Sequence, residues 1–463
     1  MTVTVIGTEK IGESGAEIMS AVVMMPPQKK TLKDPELKRK LQQLRPTDNW
    51  TNWLYLGRAY LIIALAIATA VTFRHWQISQ ELSFWWNVPI YLLAIIVIGA
   101  SQHQLAGATH EATHHILFRN RWLNELTSDW LCMFPLFSST YVFRLHHLAH
   151  HQFINDPERD PDFSQLRLSG HWLDFPVTKK FFLGRLMRQF LILPLLTYLL
   201  VRAQYNAIGV DNNPYFDKSR RFSKWPMRWA MAYLFGSLVA HWIICNYFPA
   251  IPRLLLGVGL GYLAVNAALL LIPANRYTVA RLRPLISPRI VIMSRVLFVT
   301  LIFTSLSVIQ IMTGKPAWNY FLLLWIVPLF TSFSFFMILR QLVQHGNGDR
   351  GKLTNTRVFL VNPFIRYAVF PFGMDYHLPH HVFATIPHYR LPQLHAVMQD
   401  YPEYNREGIV VEGYFRSPHS DEDRNPTVLE VLGPKYAKRG DEVFEDPSVV
   451  DGMMDHESKL SRM

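Results

Sequence analysis

Residues 84–115 read FWWNVPIYLLAIIVIGASQHQLAGATHEATHH, a long apolar run followed by a histidine cluster. The part from Phe84 to Ala106 is long and apolar enough to cross a membrane as one helix, which takes about 20 such residues. Beyond it, His110 and His114 are four positions apart, and residues at that spacing share a face of a helix. The stretch therefore predicts a membrane-spanning helix that carries paired imidazoles near its end.

Five further apolar runs extend this pattern along the chain. Half of the 463 residues are hydrophobic and only 17% are charged, against about 25% in ordinary soluble domains. Two cysteines are too few for a disulfide-rich secreted class. Another run at 181–201 contains two arginines and a proline, so we expect an interfacial or partly inserted helix there. The other predicted spans are Leu54–Phe73, Met227–Phe248, Ile251–Ile272, Val296–Met312 and Trp318–Leu339.

The formal net charge of +12 has three explanations, namely nucleic acid, an anionic membrane surface or membrane topology. Basic residues are concentrated before the first, third and fifth runs, and basic loops stay on the cytoplasmic side. Topology is therefore the simplest explanation. We expect an integral, multi-pass membrane protein with both termini in the cytoplasm and no nucleic-acid partner.

Composition divides the chain into three parts. Residues 1–49 are polar and predict a flexible cytoplasmic leader, and residues 50–400 hold the apolar runs and predict a membrane-embedded domain. Residues 401–463 are acidic, with interspersed glycine and proline, and predict a flexible cytoplasmic tail.

Two more histidine clusters follow the first one. Four spans separate the second cluster from the third, so an even number of crossings returns the chain to the same side of the membrane. Neutral imidazoles suit first-row metals such as iron, zinc or copper. Eight of them are too many for one tetrahedral zinc, so we predict two metal ions. The second cluster contains His146, His147, His150 and His151, and the third contains His377, His380 and His381.

The fold class that we predict is all-α, with about six transmembrane helices and a cytoplasmic histidine-rich cap for two metals. The isolated histidines His103 and His241 are expected to be packed core residues rather than ligands. In adjacent pairs such as His146 and His147, one member must face elsewhere, so the ligand in each pair stays open.

The ordered clusters resemble the histidine boxes of the membrane-bound di-iron fatty acid desaturases and their hydroxylase relatives. Further segments resemble the same family: the acidic run Asn155–Asp162, the segment Arg340–Gly346 and the closing region Tyr376–His395. The resemblance covers roughly Trp53 to Asp400.

The resemblance implies oxygen-dependent desaturation of a lipid- or carrier-linked fatty acyl chain at two iron ions, with molecular oxygen as co-substrate. It also implies a separate electron donor, a ferredoxin or a cytochrome, because no haem domain with a His-Pro-Gly-Gly pattern is present. His345, outside the three clusters, is a further expected ligand, and Gln341 lies four residues before it.

The expected site residues follow from the clusters and the resemblance. We expect the catalytic histidines to be His110, His114, His147, His150, His151, His377, His380 and His381. The metal ligands are expected among these eight and His115, His146 and His345. The side chains expected to orient the ligands are Gln341, Asp160, Asp162 and Asp375.

Other functions remain open from the sequence. The same site could hydroxylate or ketolate a lipid or carotenoid, because both reactions begin by removing one hydrogen. A metal transporter is a different class, but transport sites lie near the bilayer midplane, whereas these clusters lie at span ends and beyond them.

Overall fold

The computed structural model describes residues 30–189, 191–209, 213–216, 223–277, 280, 282–419, 424–437, 440 and 442–445. Residues 1–29 of the predicted leader and residues 446–463 of the predicted tail lie outside the described residues, as do 217–222 in the basic loop before the third span and 420–423 in the acidic segment.

Helices dominate the described residues, with one small sheet. The strands are β1 (Arg357–Leu360) and β2 (Ile409–Glu412). The helices are α1 (Pro35–Leu44), α2 (Thr51–Ser79), α3 (Asn87–Thr113), α4 (Arg121–Thr127), α5 (Thr140–Gln152), α6 (Pro161–Leu168), α7 (Lys179–Arg188), α8 (Ile192–Ala203), α9 (Trp225–Tyr247), α10 (Ile251–Leu271), α11 (Pro288–Thr313), α12 (Ala317–Phe321), α13 (Val327–Phe330), α14 (Ser332–His345), α15 (Pro363–Val369), α16 (His377–Val382), α17 (Leu391–Met398), α18 (Pro402–Glu407) and α19 (Val428–Val431).

Six segments of the described chain are long and apolar enough to cross a membrane, as the sequence predicts. They are α2, α3 with its preceding turn from Phe84, α9, α10, α11 and the series Ala317–His345 that contains α12 to α14. Large apolar side chains such as Leu61, Leu256 and Leu263 are exposed on these helices. Extended exposed apolar surface is typical of membrane contact.

The second span, α3, lies at the centre of the fold between α2 and α14. A Cβ atom on Gly99 would lie 2.0 Å from the Ser332 Oγ and 2.7 Å from the Phe333 backbone nitrogen. The missing side chain therefore lets α3 and α14 approach closely. Below this contact, Leu105 and Phe333 are buried in one apolar cluster. This packing places the last turn of α3 beside the last turn of α14.

The third, fourth and fifth spans pack on one another around Ala230, Leu269 and Val296. His241 lies in this unit and its Nδ1 is 2.9 Å from the Ser307 Oγ. It is a hydrogen-bonded packing residue, as predicted.

Two helices meet at a sharp bend between the second and third spans. The segments Lys179–Arg188 and Leu193–Asn206 make an angle of 81°. Pro194 lies in the first turn of α8, where a missing backbone N–H leaves no helical hydrogen bond unmade. The run predicted as interfacial or partly inserted is therefore a bent pair.

The segment after residue 401 differs from the predicted flexible tail. β2 pairs in parallel with β1, with Arg357 opposite Ile409. Val428 and Leu432 are fully buried against Leu342 of α14. The average composition of this segment is acidic, with glycine and proline, and predicts flexibility. A few short runs of apolar residues within it are nevertheless enough to bury part of the segment.

The leader also differs from its prediction in its described part. Asp34 caps α1 by accepting from the Glu36 backbone N–H at 2.8 Å, as N-cap aspartates do. Leu37 and Leu41 are buried in the cluster that includes Leu394 of α17. The chain from Pro35 onward is therefore part of the folded cap.

Candidate metal centre

The structure brings nine histidines together in two groups. In each group, one ring nitrogen from every residue lies within 4.8 Å of the others, and all nine side chains are buried. The five-histidine group consists of His110, His114, His147, His151 and His380. The four-histidine group consists of His150, His345, His377 and His381.

Four helices supply these side chains. The last turn of α3 and the residue after it carry the first cluster, and the last residue of α14 is His345. The second cluster occupies α5, where the i, i+3, i+4 spacing of His147, His150 and His151 directs the three rings to one side. The third cluster fills the short helix α16. The three clusters thus meet at one end of the spans, as the even number of crossings predicts.

The distances between ring nitrogens suit shared metal ions. The Nε2 atoms of His114 and His147 are 2.9 Å apart, and those of His151 and His380 are 3.2 Å apart. In the other group, the His377 Nε2 is 3.0 Å from the Nε2 of His345 and of His381. Nitrogens bound at about 2.1 Å to one metal lie roughly 3.0 to 3.4 Å from each other. The donor set therefore fits one metal ion in each group.

Adjacent histidines divide between the groups. His150 and His151 belong to different groups, and so do His380 and His381. The rings of His151 and His381 stack with their centroids 4.2 Å apart, which makes the two groups neighbours. A double-histidine sequence on a helix thus contributes one ring to each of two adjacent groups.

Burial prepares these imidazoles for a metal. It lowers the pKa of His147, His151, His377 and His381 well below the usual value, and neighbouring rings lower it further. The rings are therefore neutral at pH 7, and a neutral imidazole has the free lone pair that a metal needs.

Two ligand candidates are held by hydrogen bonds from their other ring nitrogen. His150 donates from Nδ1 to the Asp160 carboxylate at 3.0 Å, and His345 donates from Nδ1 to the Asn355 carbonyl at 3.3 Å. Burial lowers the pKa of His150, but the carboxylates of Asp160 and Asp162 raise it to about 9. This position therefore stabilises positive charge, which a metal at Nε2 would supply in place of a proton. Such partners fix the tautomer and orientation of metal-binding histidines.

His115 and His146, both among the expected ligands, lie outside the two groups. The Nδ1 of His115 is 3.4 Å from the Glu125 carboxylate, and the Nε2 of His146 is 2.6 Å from the Asp162 carboxylate. His115 has left-handed backbone geometry, with φ of 58°, because α3 ends just before it. In each of these adjacent pairs, the ring of this member is directed at a carboxylate outside the two groups.

The other expected supporting residues have varied surroundings. Asp375 accepts from Arg366 Nε at 2.8 Å, and burial raises its pKa to about 6. Gln341 lies beside the groups, and its Oε1 is buried without a hydrogen-bond partner among the described residues. Only Asp160 is thus seen holding a member of the two groups in a short hydrogen bond.

Three further charged residues, Glu111, Arg144 and Glu125, lie near the site. Glu111 lies with its Oε1 3.4 Å from the His110 Nδ1 and accepts from the backbone N–H of His388 at 2.8 Å. Arg144 and Glu125 form a buried ion pair beneath α5. Glu111 lies inside the first histidine cluster and is a candidate orienting residue from the sequence, whereas no local pattern marks the pairing of Arg144 with Glu125.

A helical membrane fold with a buried cluster of histidines at the ends of its spans is typical of one class of membrane metalloproteins. The profile of the Fatty acid desaturase family matches residues 83–274 and 255–410, which is more than half of the chain. The chain belongs to the fatty acid desaturase family.

Two curated relatives are similar to parts of the chain. One is the dihydrorhizobitoxine desaturase of Bradyrhizobium elkanii, 32% identical over 136 residues, or 29% of this chain and 35% of that protein. Another is the Delta(5) fatty acid desaturase fat-4 of Caenorhabditis elegans, 36% identical over 72 residues, or 16% of each chain. The aligned part of this chain thus spans about a third or less of the length of these relatives.

Proposed function

We propose that this protein is a di-iron desaturase that introduces a carbon–carbon double bond into an acyl substrate at the membrane. The balanced reaction is R–CH2–CH2–R′ + O2 + 2 e⁻ + 2 H⁺ → R–CH=CH–R′ + 2 H2O. The two electrons come from a separate one-electron carrier protein, a ferredoxin or a cytochrome. The observation that carries the proposal is the pair of buried histidine groups at the ends of the second and sixth spans.

The chemistry requires a metal because an unactivated methylene has no acidity that a side-chain base could use. Iron bound to these histidines would supply the oxidising power for removing hydrogen with dioxygen. His110, His114, His147, His151 and His380 would hold one ion, and His150, His345, His377 and His381 the other.

The chain's own residues orient and enclose this site. Asp160 and the Asn355 carbonyl hold the rings of His150 and His345 through Nδ1, so that Nε2 is presented to the metal. Burial of all nine imidazoles keeps bulk water away from the reacting centre.

The orientation in the membrane follows from charge. The basic loops precede the N-terminal ends of the odd-numbered spans. The histidine groups lie at the C-terminal ends of the second and sixth spans, which are even-numbered. A chain that enters the first span from the cytoplasm returns there after each even span, so the site faces the cytoplasm, together with both termini.

The same site could yield a hydroxylated product if the substrate is placed differently. Lipid profiling of cells that express the protein separates the outcomes. New double bonds in the wild type, absent in His147→Ala, are the expected result, with His146→Ala as the matched control that keeps product. If new hydroxyl groups appear instead, the protein is a hydroxylase rather than a desaturase. If the lipids are unchanged and metal uptake is saturable, a metal transporter is favoured.

A further inference from the structure

Histidines of both groups line a small cavity. His110 and His147 belong to the five-histidine group, and His150, His345 and His377 belong to the four-histidine group. A substrate atom in this cavity would be next to both proposed metal positions.

Several polar side chains in the lining of this cavity have buried atoms without a hydrogen-bond partner among the described residues. Gln165 is 1% exposed, and neither its Oε1 nor its Nε2 has a hydrogen-bond partner among the described residues. The Oδ1 of Asn206 and the Oε1 of Gln341 are also buried and unpartnered there. All three residues line the cavity. A buried polar group without a hydrogen-bond partner is destabilising. A polar ligand in the cavity would supply the missing partners.

The same lining includes Arg340, on which the Asp162 carboxylate acts only from beyond ion-pair distance. The Arg340 Nε is buried without a hydrogen-bond partner, and its Nη1 contacts the Met374 sulfur. Among the described residues no carboxylate oxygen lies within 4.0 Å of its guanidinium, the limit for an ion pair. Asp162, which lines the cavity too, is bonded to His146 instead. By contrast, the buried Arg144 has its own carboxylate, Glu125.

Bound metal ions would increase this imbalance of charge. The nine imidazoles bring no negative charge to the site, and the carboxylates of Asp160 and Asp162 beside it are already hydrogen-bonded to His150 and His146. Two metal cations and Arg340 would therefore share one small, poorly hydrated space with an excess of positive charge. A carboxylate on the substrate would balance this charge and accept hydrogen bonds from the guanidinium, an interaction that arginine makes with two parallel bonds.

We infer that the substrate carries a free carboxylate close to the carbons that become the double bond, and that Arg340 and Gln165 bind this head group. The inference rests on the proposed function and narrows it from a lipid- or carrier-linked chain to a carboxylic acid that reacts near its head. The middle of a hydrocarbon chain would leave the polar atoms of Gln165, Asn206 and Arg340 without partners.

Binding of a charged and a neutral probe of equal length tests the inference. Purified full-length protein, loaded with iron and kept without oxygen, is titrated with octanoate and with octanamide by calorimetry. Wild type is expected to bind octanoate at least tenfold more tightly. Arg340→Gln is expected to remove this preference, while Arg188→Gln, which changes an exposed arginine on α7, keeps it.

Iron content and the thermal midpoint of each variant establish that it folds. If the Arg340→Gln variant loses its iron, the Gln165→Leu variant is used for the test instead. We expect Gln165→Leu to weaken octanoate binding at least threefold and to leave octanamide binding unchanged. The inference is overturned if wild type binds the two probes equally well. It is also overturned if a folded Arg340→Gln variant keeps the preference for octanoate. Where Arg340→Gln does not fold, an unchanged preference in Gln165→Leu overturns it.

Product analysis separates this inference from the proposed function. Double bonds formed in mid-chain positions of intact phospholipids would overturn the carboxylate site and leave desaturation standing. If wild type strongly prefers octanoate but forms no double bond in any acid supplied, the carboxylate site is retained and the proposed desaturation is overturned.

Discussion

The Nε2 atoms of His345 and His377 lie 3.0 Å apart, although one residue ends the sixth span and the other begins a short helix 32 residues later. The intervening chain forms β1 and α15 before it returns to the site. The end of a membrane span and a helix of the cap therefore contribute to the same four-histidine group. A residue outside the three clusters completes that group.

Replacing His345 with alanine is expected to lower bound iron from two ions to about one per chain and to abolish product formation. The four-histidine group would keep only three imidazoles. Metal analysis of the purified variant, with an activity assay, measures both effects. The matched control is His395→Ala, which removes another buried histidine, bonded to the Tyr404 hydroxyl at 2.8 Å and outside both groups. Equal iron in wild type and His345→Ala would remove His345 from the ligands.

Two adjacent histidines give a sharper comparison. His114→Ala is expected to reduce iron occupancy, because the His114 Nε2 lies 2.9 Å from the His147 Nε2 in the five-histidine group. His115→Ala is expected to keep both irons, because its ring faces Glu125. Iron content per chain and turnover are the measurements. The assignment is wrong if the two variants behave alike.

The buried pair of Arg144 and Glu125 is expected to stabilise the fold strongly. Arg144 reaches both carboxylate oxygens, at 3.0 and 2.5 Å. Glu125→Gln leaves a buried arginine without its charge partner, which typically costs roughly 3–5 kcal/mol. The loss appears as a lower thermal midpoint in detergent at pH 7. Arg406→Gln is the control, since its pair with Glu407 is exposed and worth at most about 1 kcal/mol.

The stabilisation by Glu125 has a defined pH dependence. Burial raises the pKa of this carboxyl, but Arg144 and His115 lower it well below the usual 4.5. The ionised folded state is therefore favoured above about pH 4.5, and its advantage is lost as the pH falls below that value toward the folded-state pKa. The difference in midpoint between wild type and Glu125→Gln should shrink in that acidic range. A difference that grows on acidification would contradict this account.

Chain truncation tests the folded part of the C-terminal segment. Ending the chain after Ser417 would remove Val428, Leu429, Val431 and Leu432, which are buried against the helix that carries His345. Burial of each such side chain is worth about 1.5–3 kcal/mol. We expect this truncation to lower both the thermal midpoint and the iron content. Ending the chain after Glu445 should preserve both, and equal stability of the two truncations would show that the segment is dispensable.

Much of this architecture is predictable from sequence because membrane spans and histidine spacing are local signals. The six apolar runs and the three clusters are read directly from residue order. The i, i+3, i+4 spacing in α5 also predicts which face carries His147, His150 and His151. Spacing alone does not predict how adjacent histidines divide between the two groups, because that division depends on how the rings of α5 and α16 meet.

The remaining features depend on contacts between distant segments. The His345 Nδ1 bonds to the Asn355 carbonyl, and no side-chain pattern marks a backbone acceptor. The pairing of β2 with β1 joins segments 52 residues apart (409 against 357), and the acidic composition around β2 hides its apolar core. Arg340 forms no ion pair with any described residue, yet from the sequence it looks like an ordinary basic residue at a span end.

The metal content of the purified wild-type protein tests the central claim most directly. Full-length protein is expressed with iron available, purified in detergent and assayed by mass spectrometry for iron and zinc per chain, with Mössbauer spectroscopy on an iron-57 sample. The account predicts about two irons per chain, one for each histidine group. A fully occupied protein that contains one zinc and no iron would contradict it.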